Sequence, residues 1–132
     1  MRIFLDDERL PPQDGKGWII LRSVGDAIKW VEANGFPVFV SFDNDLGERQ
    51  PEGRCFAAWL LELDMDSGNM PEDFAFYVHS QNVVAADHIR SRIDGHLAER
   101  TREKAAGRPG HHSGPGSTGV GWGRAFPPRC VP

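Results

Sequence analysis

The chain is poor in cysteine. Of its 132 residues only Cys55 and Cys130 are of that type, too few for a disulfide-stapled scaffold or a cysteine zinc site. Cys55 lies in an apolar helical stretch and Cys130 near the end, so two free thiols in a reducing compartment are expected. No long apolar stretch precedes Asp6 and Asp7, which leaves no visible signal peptide. No run approaches the length of a membrane span. The expectation is a soluble cytoplasmic protein with no membrane partner. An excess of positive charge is missing too: 15 Lys and Arg stand against 19 Asp and Glu, a formal net charge of -4. That argues against bulk double-stranded nucleic-acid binding, which needs a basic footprint. There is no Gly-Lys-Ser/Thr phosphate loop, no Gly-x-Gly-x-x-Gly after a strand, and no Gly-x-Ser-x-Gly elbow around Ser23 or Ser80.

What the chain does contain is unevenly spread. Residues 1–104 hold 12 basic and 19 acidic residues; residues 105–132 hold 3 basic and no acidic ones, with 7 of the 15 glycines and 5 of the 10 prolines. A patterned domain over 1–104 and a Gly/Pro-rich basic tail over 105–132 follow. The tail has little apolar area to offset the entropy of ordering it, so flexibility is expected there. Deleting residues 108–132 should then leave the fold intact. Trp122 and Phe126 are the tail's exceptions, able to dock on the body or a partner. His111-His112 has no carboxylate beside it and is a weak metal candidate.

Short apolar runs punctuate the body. Arg2–Leu5, Trp18–Arg22, Val38–Phe42 and Phe74–Val78 read as strands. Between the first two, Leu10 to Gly17 carries two prolines and two glycines and can only be a loop. Ser23 caps a helix that Asn34-Gly35 stops. Phe56, Trp59, Leu60 and Leu63 recur at helical spacing, giving a helix from about Arg54 to Leu63. A long helix runs from about Val84 to Lys104 with Ile89, Ile93 and Leu97 buried. This alternation builds a parallel sheet with right-handed crossovers.

Three strands end in residues of chemical type: Asp6-Asp7 after the first, Asp43-Asn44-Asp45 after the third, His79-Ser80 after the fourth. In an open parallel sheet the ligand crevice lies beyond the carboxyl ends of the strands. Carboxylates gathered there repel unless a cation is shared between them, and Mg²⁺ is the simplest partner. Asp and Asn are also common at strand ends because they stabilise turns, so each residue has two readings. Asp7 and Asp43 are the best ligand candidates, with Asp6 next. Asp45 is a ligand or a cap for the Leu46-Gly47 turn. Ser80 binds a phosphate oxygen or caps the last helix. His79 is an acid or base, or a hydrogen-bonded structural residue. Arg22 clamps a phosphate or pairs with nearby acids.

The blocks Ile3-Phe4-Leu5-Asp6-Asp7-Glu8-Arg9, Ser41-Phe42-Asp43-Asn44-Asp45-Leu46-Gly47 and Val78-His79-Ser80-Gln81-Asn82, in that order, resemble the response-regulator receiver fold. More specifically they resemble the cyclic-phosphate processing receiver domains of bacteria and phages, over about residues 1–95. The resemblance implies a flavodoxin-like three-layer α/β fold, truncated relative to a full receiver, with four parallel strands in the order 2-1-3-4. It implies a divalent metal, Mg²⁺ or Mn²⁺, on Asp6 and Asp7, Asp43 at the phosphoacceptor position, and Ser80 as the hydroxyl residue. Arg22, His79 and Asn82 look like positions particular to the subfamily. The prolines after the first strand replace a receiver helix, and no fifth strand ending in lysine follows. A phosphorelay switch is therefore disfavoured. Two readings remain. One is a metal-dependent phosphoesterase acting on cyclic phosphates of nucleotides or RNA ends, with Asp43 and His79 catalytic and Arg22, Ser80 and Asn82 binding substrate. The other is a non-catalytic interaction module engaging a protein partner, with Trp59 or Trp122 as an anchor.

Overall fold

A computed structural model describes residues 1–105. The expectations for the tail beyond Ala105, including Trp122, Phe126, His111-His112 and Cys130, lie outside them. The elements in chain order are β1 (Arg2–Leu5), β2 (Trp18–Leu21), α1 (Val24–Asn34), β3 (Phe39–Phe42), α2 (Gly53–Ser67), β4 (Ala75–Val78) and α3 (Val83–Ala105). The strands form one sheet in the order β2-β1-β3-β4, and every pairing is parallel. This is the flavodoxin-like receiver arrangement that the sequence suggests. No helix among the described residues is long and apolar enough to cross a membrane.

The local chemistry explains the boundaries. The Ser23 side chain accepts from the Asp26 N–H at 3.1 Å and opens α1. At its end Gly35 takes φ 97°, a conformation that an L side chain resists. The α2 helix continues past Leu63, where the apolar period stops, to Ser67. Asp64 makes this possible. Its buried carboxylate accepts from the Met70 N–H at 3.1 Å and faces His96 Nε2 at 2.7 Å and Arg100 Nε at 3.3 Å. Met70 follows the helix and the other two lie on α3, so this acid ties the two helices together.

Side chains alternate across a sheet, and this one is lopsided. Ile3, Leu5, Val40, Phe42 and Val78 share a face and join Val24, Ile28, Phe56, Leu60, Ile89 and Ile93 of the three helices in a single core. Trp59 belongs to it as well. The crossovers β2–α1–β3 and β3–α2–β4 move in the same direction along the sheet, so crossovers of one hand place α1 and α2 on the same side. The step from β1 to β2 runs the other way, and there the chain has only its proline-containing loop. The second face carries Arg2, Phe4, Trp18, Ile20, Phe39, Ser41 and Tyr77, brought into line by the strand register. Among the described residues no helix covers it. Trp18 meets Phe4 and Phe39 edge-on at 6.0 and 5.7 Å, and Ile20 and Tyr77 are exposed. Cys55 is buried in α2 and is not free, which corrects the expectation of a free thiol at that position.

Candidate functional site

β1 runs directly into Asp6, β3 into Asp43 and β4 into His79. These three strands are parallel neighbours, so their carboxyl ends bring the three side chains together. One ligand atom from each lies within 4.8 Å of the others.

Asp6 is fully buried, and its two oxygens have separate partners. Oδ1 accepts from the backbone N–H of Glu8 at 2.9 Å and of Arg9 at 2.8 Å, closing the turn after β1. Oδ2 faces His79 Nε2 at 2.9 Å. Burial alone would push this carboxyl up. The N–H groups of Arg9 and Glu8, together with His79, outweigh burial and hold it below the usual value. An ionised Asp6 can only accept, so in the neutral imidazole Nε2 carries the proton. The Ser41 hydroxyl, 2.7 Å from Nδ1, then donates to the other nitrogen. Phe4 lies flat on the ring, with centroids 4.6 Å apart and planes 3° from parallel. Ser41 is itself buried in β3, so the Ser41–His79–Asp6 chain orients the imidazole and does not present a nucleophile.

Asp43 is half-buried, and its Oδ1 accepts from the Asn44 N–H at 2.8 Å. Burial, and then the facing charge of Asp6, push its carboxyl above the usual value. The Asn44 N–H, His79 and Arg9 pull in the opposite direction without cancelling the rise. Neighbouring carboxylates driven apart in this way mark a place where a cation would relieve repulsion. Two carboxylates and an imidazole are donors that could hold a divalent ion. His79 would have to release Asp6 to join as a ligand.

The start of α2 is seated on the same strand end. Asn44 is buried; its carbonyl accepts from the Gly53 N–H at 2.9 Å and its side-chain oxygen from the Arg54 N–H at 3.3 Å. A Cβ at Gly53 would fall 1.8 Å from the Asp43 carbonyl oxygen. Only glycine lets the helix begin this close to the site.

The remaining candidates are placed as follows. Asp7 is exposed and its Oδ2 reaches toward Gly47. Asp45 is exposed and faces the Asn44 amide at 3.5 Å. Neither belongs to the three-residue cluster. Arg22 donates to the carbonyls of Asp6 at 3.1 Å and Arg9 at 2.6 Å, pinning the loop after β1. Ser80 Oγ accepts from the Asn82 N–H, and Asn82 Oδ1 from the Ala85 N–H, both at 3.1 Å, so the two organise the start of α3. Ser41, Arg9 and Gly53 are not marked as site residues by the sequence, and Asn44 only as a member of the strand-end triplet. The available signal was the hydroxyl of Ser41, alone in an apolar strand two positions before Asp43.

No curated protein and no solved structure matches the chain. A family model described as the cyclic-phosphate processing receiver domain matches residues 1–95.

Proposed function

We propose, for a chain that belongs to the cyclic-phosphate processing receiver domain family, that it is a metal-dependent phosphoesterase opening a cyclic phosphate of a nucleotide or an RNA end. The observation that carries this reading is the meeting of Asp6, Asp43 and His79 at the carboxyl edge of the sheet. Asp6 and Asp43 would hold Mg²⁺ or Mn²⁺, with Asp7 and Asp45 at the rim reaching it through water, as a hard cation that keeps several waters allows. When bound, the ion would polarise the phosphoryl group and acidify a water.

The chain's own groups divide the remaining work. Asp43 is the carboxylate that would either hold the ion or take the proton of the attacking water. His79 would serve as the acid for the leaving oxygen only as imidazolium and after turning away from Asp6, which now accepts from Nε2, its proton passing to that oxygen as the ring phosphorus–oxygen bond breaks. In the resting arrangement Asp6 and Ser41 fix the orientation of the ring. Arg22 holds the loop that carries Asp6, while Ser80 and Asn82, at the start of α3, would supply substrate contacts.

Incubating the full chain with 2′,3′-cyclic nucleotides and Mg²⁺ or Mn²⁺ should release monoesters. Turnover should disappear with EDTA and in Asp43→Asn. Absence of turnover across several cyclic substrates and both metals would overturn the reading. A non-catalytic interaction role has one observation in its favour, the sheet face with exposed Ile20 and Tyr77. A protein partner retained by Asp43→Ala and lost in Tyr77→Ser would support it.

A further inference from the structure

A site that handles phosphate needs a positive group with hydrogen bonds to give. Arg22 is held to the loop after β1 by its Nη1, which donates to two backbone carbonyls, and both nitrogens of His79 are engaged. Arg54 is different. Its Nε donates to Glu52 Oε1 at 2.6 Å, and its side chain is only 19% exposed. Its two terminal amino groups have no hydrogen-bond partner among the described residues. Glu52 also accepts from the Asn44 amide at 3.2 Å, so the acid that steers Arg54 is held in place. The guanidinium is thus oriented in advance, with its fork unoccupied among the described residues.

That side chain lines a cavity of ≈ 340 Å³ between the starts of α2 and α3, whose other walls are Glu52, Asn82, Val84, Ala85 and His88. The volume falls within the roughly 300–1,000 Å³ typical of small-molecule sites. Arg54, His88 and Asn82 supply donors, and the Glu52 carboxylate is already turned onto Arg54 and Asn44. Asp6, Asp43 and His79 do not line the cavity. It nevertheless adjoins them, because Gly53 abuts the Asp43 carbonyl and Arg54 is the next residue.

We propose that this cavity is an oxyanion site for a second, non-reacting phosphate of the ligand, with Arg54 offering the bidentate fork and His88 and Asn82 the flanking donors. The inference rests on the phosphoesterase reading and narrows its substrate class. The preferred ligand carries a phosphate beside its cyclic one, as a 5′-phosphorylated cyclic nucleotide or an RNA end does.

Inorganic phosphate titrated into the full chain in EDTA, followed by calorimetry, tests the site without turnover. The wild-type chain should show saturable binding at millimolar phosphate. Arg54→Met should weaken it about tenfold or more, the scale of a lost charge-assisted pair, and Arg54→Lys should weaken it less. His88→Asn, an exposed substitution, should give a smaller loss and decides the matter if Arg54→Met fails to fold. Asp43→Asn should bind phosphate at least as well as wild type. Equal binding by wild type, Arg54→Met and His88→Asn, or no saturable binding at all, would overturn the proposal. Phosphate binding that depends on Arg54 in a chain without turnover would sink the phosphoesterase reading and leave the oxyanion site standing. Turnover with no preference for a 5′-phosphorylated cyclic nucleotide would do the reverse.

Discussion

Asp6 and Asp43 start from the same ordinary carboxylate value, 3.8, and are driven in opposite directions. Asp6 is depressed, so it contributes stability above 3.8 that is lost as pH falls through its folded value. Asp43 is raised, so its ionised form opposes folding at neutral pH, and that opposition vanishes below 3.8. Asp43→Asn should therefore melt a few degrees higher than wild type at neutral pH in EDTA. The gain should fade as the buffer is acidified below the ordinary aspartate value. Millimolar Mg²⁺ should shrink or reverse it, because the carboxylate is the better ligand and binding stabilises the wild type more. Thermal melts of both proteins in both buffers check this. Indistinguishable curves would remove Asp43 from the metal site. The presence of acids at these strand ends was readable from the sequence. Their opposite environments were not, because they depend on which carboxylate collects the N–H groups of Glu8 and Arg9.

At the scale of elements, the strands and their order could be read because short β-branched and aromatic runs alternate with capped helical stretches. The end of α2 could not. Glu62, Asp64 and Asp66 look like the close of an apolar pattern, and only the arrival of His96 and Arg100 from α3 makes Asp64 a core residue. The start of α2 hid a second fact, since nothing local marks Gly53 as the point of contact with β3. Gly53→Ala should cost about 3 kcal/mol or more, at the upper end of overpacking penalties, because the added methyl meets backbone and cannot turn aside. The denaturant midpoint should drop accordingly. An unchanged midpoint would mean that α2 is not seated on the Asp43 carbonyl.

Across the whole molecule, the acid cluster at the carboxyl edge has a counterpart toward the other end of α2. Burial raises the Asp64 carboxyl, but His96, the Met70 N–H and Arg100 lower it further, so it stays ionised and contributes stability above 3.8 that is lost as pH falls through its depressed value. Asp64→Ala should cost about 3–5 kcal/mol, since it leaves the Arg100 guanidinium, the His96 imidazole and the Met70 amide without their acceptor. A urea titration at neutral pH measures it, and a cost near zero would show that apolar packing alone holds α2 to α3. The one-sided helix layer among the described residues differs from the three layers that the resemblance implies, because the prolines leave only a loop between β1 and β2 where a receiver has a helix. The sheet also has a consequence in time. Each pairing is parallel, so no two partner strands are joined by a tight turn: Arg2 pairs with Trp18 and with Phe39, and Phe39 with Ala75. Every ladder must close a long loop before it gains a single cross-strand contact. β1, flanked on both sides, waits for two separate returns of the chain. Asp6 at its tip meets Asp43 only once the β1–β3 ladder has formed and His79 only once the β3–β4 ladder has, so the site cannot exist before two long loops are closed.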